Sequence, residues 1–313
     1  MATAAVFDNH SRYRHETTAL FGQCVDTIPP AAEDASMFNH LHVERCIDLW
    51  LNEDVGHGDL TATLMVDAQA TATFDVNARE PMVVAGIDVM AMVFRRWEPR
   101  IEVTVHCQDA ARVPAGERLA RVSGPARGIL TAERTALNIM QRMSGIATET
   151  ARYVAEMGQT RARLVDTRKT TPGLRMLEKH AVMCGGAGSH RLGLDSGVML
   201  KDNHIAVAGS ITAAVERARA AVPILTRIEV ECDRLDQVDE ALAAGADVIL
   251  LDNMTLDMLR EAVDRVGGRV PLEASGGVRF DRVRAIAQTG VDYISCGRLT
   301  QSAAAVDIGL DEP

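Results

Sequence analysis

A chain of 313 residues is long enough for one barrel-sized domain and a smaller one, and 47% apolar with 24% charged residues is the composition of a soluble globular enzyme. A net charge of −10 argues against nucleic acid or an anionic membrane as partner, and no apolar run approaches the roughly 20 residues that span a bilayer. The N-terminus has no basic stretch followed by an apolar one, so no signal peptide is expected and the protein is placed in the cytoplasm. Its six cysteines (Cys24, Cys46, Cys107, Cys184, Cys232, Cys296) show no CxxC pair or His-rich spacing, which disfavours a structural zinc site.

In chain order, residues 1–36 are polar and irregular, ending in Pro29-Pro30, and read as a loosely attached extension. Residues 37–145 mix helix and strand. FNHLHVERCIDLWLNED has helical apolar spacing, TATFDVNAR and IEVTVHC alternate as half-buried strands, and VPAGERLARVSG reads as a turn and a strand. EDVGHGDLT reads as a turn with helix-capping residues. TAERTALNIMQRMSGIATETARYVAEM predicts a long helix interrupted at Ser144-Gly145. From 146 to 295 the rhythm changes. Six short apolar runs (ARLVDTRKT, GVMLKDNH, RIEVEC, DVILLDN, PLEASGG, DYISCG) alternate, for the most part, with amphipathic helices such as SITAAVERARAAV and LDMLREAVDRVGG. The later strand ends recur every 20 residues or so, one strand plus one helix and two short loops. Such β-α units form parallel strands with crossover helices. Functional-looking residues follow every strand rather than one switch point, which favours a barrel over an open sheet, and six strands make it incomplete or irregular. Residues 296–313 are expected to form a C-terminal segment that returns to the first domain.

Residues just after parallel-barrel strands face one mouth. That rule gathers Arg168, Lys169, Lys201, Glu231, Asp252, Glu273, Ser275 and Ser295. Any one of them alone is an ordinary solvated loop charge or turn residue; the set together pairs cations for an anionic substrate with carboxylates suited to hydrated Mg²⁺ on a diphosphate. The turns Ser275-Gly276-Gly277 and Ser295-Cys296-Gly297 follow the last two strands, where backbone amides cradle phosphate. Against the acidic background, residues 161–201 are basic and contain all three lysines of the chain, Lys169, Lys179 and Lys201; every other basic side chain is Arg. That restriction suggests positions needing a compact ammonium, with compositional chance as the alternative. CGGAGSHR, residues 184–191, is glycine-rich but lacks the ending of a P-loop, and His190 beside Arg191 suits either a structural histidine or an anion ligand.

The segments EDVGHGDLT, TAERTALNIMQRMSGIAT, DTRKTTPGLRMLEKHAV, GGAGSHR, LKDNHI, IEVEC, VILLDNM, EASGGV and GVDYISCGRLTQSA, in this order, resemble the quinolinate phosphoribosyltransferases over about residues 45–305. The resemblance implies an N-terminal open-faced α/β sandwich followed by an irregular parallel α/β barrel, in a homodimer whose sites lie at the subunit interface. It implies that phosphoribosyl diphosphate (PRPP) and quinolinate react with Mg²⁺, with loss of CO2, to give nicotinate mononucleotide on the way to NAD. Arg134 in TAERTAL would reach the neighbouring subunit's site. Arg168 and Lys169, beside Thr167 in DTRKT, would hold the quinolinate carboxylates together with His190 and Arg191. Lys201, Glu231 and Asp252 would face the ribose, diphosphate and Mg²⁺, with Glu231 and Asp252 reaching the metal through water and PRPP. Lys169, Lys201, Glu231 and Asp252 would be the catalytic set, and the turns at Ser275-Gly276-Gly277 and Ser295-Cys296-Gly297 would take phosphate. Ala187, Ser189 and His180 stand where the family commonly has Gly, Asn and Tyr, which bears on loop geometry. The competing readings are a same-fold enzyme for nicotinate or another pyridine-like acid, and a Schiff-base aldolase using Lys201.

Overall fold

The computed structural model describes residues 39–313, so the expected extension over 1–36 lies outside the described residues. The chain divides into one unit running up to Gly145 and including Ala305–Pro313, and a second unit, Ile146–Ala304.

In the first unit, helix α1 (His40–Val55) is capped by Asn39 and buries Val43, Ile47 and Leu51. Asp59 caps the short α2 (Leu60–Met65), its carboxylate accepting from the Ala62 N–H at 2.9 Å. Strand β1 (Thr71–Ala78) is followed by the short β2 (Met82–Val83), helix α3 (Ile87–Trp97), β3 (Glu102–Val105), β4 (Arg112–Val113) and β5 (Arg118–Pro125). An antiparallel sheet forms in the order β12-β1-β5-β3, where β12 (Ile308–Asp311) is the last strand of the chain. Helix α1 packs on α3, and Arg96 ties them with two hydrogen bonds to Asp48 at 2.6 and 2.9 Å. On the sheet, Asp75 faces Arg121 across the β1–β5 ladder and accepts from Arg121 at 2.7 and 3.0 Å and from Arg118 at 3.1 Å. Those bonds, opposed by burial, hold its carboxyl down at about 2.

Helix α4 (Ala126–Met157) runs on without the break expected at Ser144-Gly145. A mid-helix glycine costs only about 1 kcal/mol relative to alanine, which the burial of Met140, Met143, Ile146 and Ala147 around it outweighs. The Ser144 hydroxyl is occupied as well: it accepts from the Ala85 N–H at 3.0 Å and donates to the Ala85 carbonyl at 3.2 Å.

All six apolar runs of the second unit are strands. They are β6 (Arg163–Val165), β7 (Val198–Leu200), β8 (Ile228–Cys232), β9 (Val248–Asp252), β10 (Leu272–Ser275) and β11 (Tyr293–Ser295). They form one parallel sheet in the order β6-β11-β10-β9-β8-β7. Among the described residues β6 and β7 end this ladder without pairing to each other, so the barrel is open at one seam. Ile228, Val230, Ile249, Leu251, Leu272, Ala274 and Ile294, alternating along the strands with the residues that line the cavity described below, are all buried on the opposite face of the sheet. Between the strands lie α5 (Arg175–Cys184), α6 (Asp202–Ala208), α7 (Ile211–Ala221), α8 (Leu235–Ala243), α9 (Leu256–Val266) and α10 (Phe280–Ala287). Ser210 and Thr255 cap α7 and α9. Residues 296–304 belong to this unit rather than to the returning segment, because helix α11 (Arg298–Gln301) buries Leu299 and Thr300, and Thr300 donates to the Lys169 carbonyl at 2.8 Å.

Candidate active site at the strand ends

The ends of the six parallel strands enclose a cavity of about 440 Å³. After β6, Thr167, Arg168 and Lys169 line it, with the Lys169 N–H donating to the Thr167 hydroxyl at 3.0 Å. The Arg168 Nε is buried with no hydrogen-bond partner, a donor left for a ligand. Arg191 is fixed by donating to the Gly197 carbonyl at 3.1 Å, and burial together with neighbouring Arg168 lowers its pKa.

His190 sits between two carboxylates. Its Nε2 lies 3.3 Å from Glu229 and 3.2 Å from Glu273. Burial opposes a charge on the ring, but the hydrogen bonds to Glu229 and Glu273 and their charges outweigh it and push His190 up to about 10. Burial in turn raises Glu229. On the other side of the ring, the Arg191 backbone N–H lies 2.7 Å from Nδ1 and donates to it when that nitrogen is unprotonated. One neutral amide is a weaker influence than two buried carboxylates, so the balance favours the charged ring.

Behind the cavity lies a second ion pair. Lys179, from α5, and Asp166, at the end of β6, are each wholly buried and bonded to one another. Burial pushes the Asp166 carboxyl up and the Lys179 ammonium down, each opposed by the partner's charge. Asp166 also accepts from the His190 backbone N–H at 2.8 Å and from the Ser189 hydroxyl at 3.3 Å.

Lys201, which follows β7, pairs with Glu231 at the end of β8. Asp252, ending β9, accepts from the Asn253 side chain at 2.6 Å. Asn253 is itself left-handed at φ 56°, and Gly276 at φ 84° passes so close that a Cβ there would sit 2.3 Å from the Asn253 side-chain oxygen. Ser275 and Ser295 are joined by a hydroxyl bond of 2.9 Å.

The cavity thus brings together Thr167, Arg168, Lys169, His190, Arg191, Lys201, Glu231, Asp252, Glu273, Ser275, Gly276, Gly277 and Ser295. Three expected residues stand outside its lining. Cys296 is buried, its N–H donating to the Val165 carbonyl at 3.0 Å, so it holds β6 and not a ligand. Gly297 provides clearance: a Cβ there would lie 2.8 Å from the Lys169 stem. Arg134 lies on α4 in the first unit and is 59% exposed, with Glu133 at 3.7 Å. Sequence reasoning missed Glu229, Met199, Leu250 and Asn253. Glu229 had a signal, because in IEVEC a period of two puts Glu229 on the same strand face as Glu231. Glu231 and Asp252 offer hard oxygens but too few for a closed metal cage, which suits Mg²⁺, an ion that keeps several waters and leans on substrate phosphates.

A parallel α/β barrel that sets a cation cluster and separate carboxylates around one strand-end cavity defines an enzyme acting on small anionic substrates. Two family models match the chain, the quinolinate phosphoribosyl transferase N-terminal domain over residues 59–144 and the C-terminal domain over 146–311. The chain belongs to that family. It is 41% identical over 273 residues to the probable carboxylating nicotinate-nucleotide pyrophosphorylase of Bacillus subtilis, covering 87% of this chain and 94% of the relative. It is 44% identical over 267 residues to the Mycobacterium leprae enzyme of the same name, covering 83% and 94%. The solved nicotinate-nucleotide pyrophosphorylase of Francisella tularensis superposes with a TM-score of 0.84 at 39% identity, covering 88% of this chain and 97% of that one.

Proposed function

We propose that this chain transfers the phosphoribosyl group of PRPP to the ring nitrogen of quinolinate, with loss of CO2, giving nicotinate mononucleotide and diphosphate. The observation that carries this reading is the meeting, in one cavity, of Arg168, His190 and Arg191 with the Lys201–Glu231 pair and Asp252. Quinolinate bears two adjacent carboxylates. The planar forks of Arg168 and Arg191 match them, and the buried, unpartnered Arg168 Nε gains a partner on binding. Nicotinate has one carboxylate fewer and leaves part of that cation cluster unpaired in a desolvated site. Lys201, held in an ion pair, is not the free amine that a Schiff-base mechanism needs.

The pyridine nitrogen displaces diphosphate at the anomeric carbon of the ribose. Glu231 and Asp252 stabilise the positive charge that develops there, while Lys201 faces the leaving group. Mg²⁺ bound on the diphosphate near Glu231 and Asp252 would neutralise the leaving charge. Ser275, Gly276, Gly277 and Ser295 receive the 5′-phosphate. Once alkylated, the ring nitrogen is cationic and stabilises the electron pair left on carbon 2 when CO2 departs, so this step asks the protein for position and desolvation.

The working form is a homodimer in which Arg134 serves the partner's site. Supporting this, Arg134 is exposed, and the same unit presents exposed Leu41, Leu49, Leu60, Leu64 and Met65 on α1 and α2, apolar surface suited to a second copy. The cytoplasm is its compartment: among the described residues no cysteine is in a disulfide and no helix is long and apolar enough to cross a membrane.

The deciding experiment mixes the protein with PRPP, Mg²⁺ and quinolinate. Nicotinate mononucleotide and CO2 are expected one for one, only with Mg²⁺ present. Nucleotide without CO2, or a preference for nicotinate, overturns the reading.

A further inference from the structure

The wholly buried Lys179–Asp166 pair touches nothing in the cavity, yet it grips the loop that enters it. Asp166 takes the His190 backbone N–H at 2.8 Å and Lys179 gives a hydrogen bond to the His190 carbonyl at 3.2 Å, so both backbone groups of one residue are bound by one ion pair. The Ser189 hydroxyl lies within the same cluster, 3.3 Å from Asp166 and 3.4 Å from Lys179. Side-chain contacts of His190 with Glu229 and Glu273 and of Arg191 with the Gly197 carbonyl hold the tips of the loop, but the ion pair is what binds the His190 backbone. The loop enters through Gly185, Gly186, Ala187 and Gly188, with Gly186 at φ 91°, and pairs with the sheet at Gly188 alone.

Stability is a poor reason for such a pair. Two charges taken wholly out of water lose their hydration, and exchanging a buried ion pair for apolar side chains of similar size is often neutral or stabilising. What apolar side chains cannot do is bind a backbone N–H and a backbone carbonyl at once. A compact ammonium and a carboxylate at one point can, and Lys179 accounts for the third lysine of a chain that otherwise uses arginine.

We infer that Asp166 and Lys179 are positioning residues that latch the His190–Arg191 loop in its anion-binding geometry, and so set affinity for the pyridine dicarboxylate without touching it. The inference rests on the proposed reaction for the identity of that anion. The Glu229 and Glu273 carboxylates orient the His190 ring, and the latch fixes the backbone that carries it.

The test replaces both partners together, Asp166→Leu with Lys179→Met, because removing one alone strands a buried charge and unfolds the chain for trivial reasons. The double variant is expected to melt at or above the wild-type temperature and to show a KM for quinolinate raised tenfold or more, with the KM for PRPP within twofold. Ser189→Ala, which leaves the ion pair whole, is expected to raise the quinolinate KM by a smaller factor and to leave PRPP unaffected. A folded double variant with a wild-type quinolinate KM overturns the inference, and so does a double variant that cannot fold, since the pair is then needed for the core. Equal rises for both substrates overturn it too. Wild-type protein inactive with quinolinate is a different result: it defeats the proposed reaction.

Discussion

Replacing Glu229 by Gln removes one of the two carboxylates that keep His190 charged. The rise of that imidazole from 6.5 to about 10 corresponds to about 5 kcal/mol of preference for the protonated ring. Glu229 and Glu273 lie at nearly equal distances from Nε2, 3.3 and 3.2 Å, so they share the attraction equally. Burial opposes the charge and is unchanged in the variant, so the two carboxylates together supply more than the net preference and losing one withdraws more than half of it, at least about 2 kcal/mol. The His190 midpoint should therefore fall well below 10, back toward that of a free imidazole. The sign follows from linkage: stability contributed by this charge is whole below 6.5 and is lost as pH rises through about 10, and in Glu229→Gln the loss moves to lower pH. NMR of ring-labelled histidine reads the midpoint directly, and quinolinate KM against pH reads its consequence. Wild-type KM should be level from pH 7 to 9, while that of the variant should already be climbing across that range. A variant ring still titrating near 10, or a wild-type ring titrating near 6.5, refutes the reasoning.

Arg168→Ala should raise the quinolinate Kd by the 2–5 kcal/mol typical of a lost, desolvated charge pair and leave PRPP binding nearly unchanged; calorimetry showing weakened PRPP alone would reverse the two subsites. Gly276→Ala should impair PRPP binding, because its positive φ is strained for alanine and its Cβ would collide with Asn253; an unchanged KM for PRPP would remove this turn from the phosphate site. Asp75→Asn should cost the first unit about 2 kcal/mol at neutral pH, a contribution present above the usual 3.8 and lost as pH falls through about 2; urea unfolding at pH 7 with no change in midpoint would refute it. Arg134→Ala and Lys201→Ala, each inactive alone, should recover about a quarter of wild-type activity when their subunits are mixed, since half the dimers would carry one intact site. No recovery despite demonstrated exchange would leave Arg134 a surface residue.

Much of the second unit was legible because parallel strands announce themselves as apolar runs, and because the residue after each run faces one mouth. Arg168, Lys201, Glu231 and Asp252 are found by that rule alone. The helix through Ser144-Gly145 was not, since local propensity cannot weigh the buried methionines that keep it whole. Glu229 escaped because a carboxylate inside a strand is visible as functional only when its partner, His190, 39 residues earlier in the chain, is brought against it. Cys296 and Gly297 followed the glycine-turn rule into the expected phosphate cradle, yet both lie outside the cavity lining: pairing with β6 occupies the Cys296 N–H, and the bare Gly297 leaves room for the Lys169 stem. Lys179 stood out by residue type, but only the fold separates its buried role from those of Lys169 and Lys201.

The open seam of the parallel sheet leaves β6 with an outer edge, and an unpaired edge invites another chain to add a strand. Gly188 occupies that edge: its N–H binds the Leu164 carbonyl at 2.8 Å and its carbonyl receives the Asp166 N–H at 3.3 Å. The loop that presents His190 and Arg191 is thus also the guard of a sticky margin. Loosening it to admit a different acid would bare that margin, so changes of specificity in this loop should arrive with aggregation unless a compensating charge or proline is placed on β6.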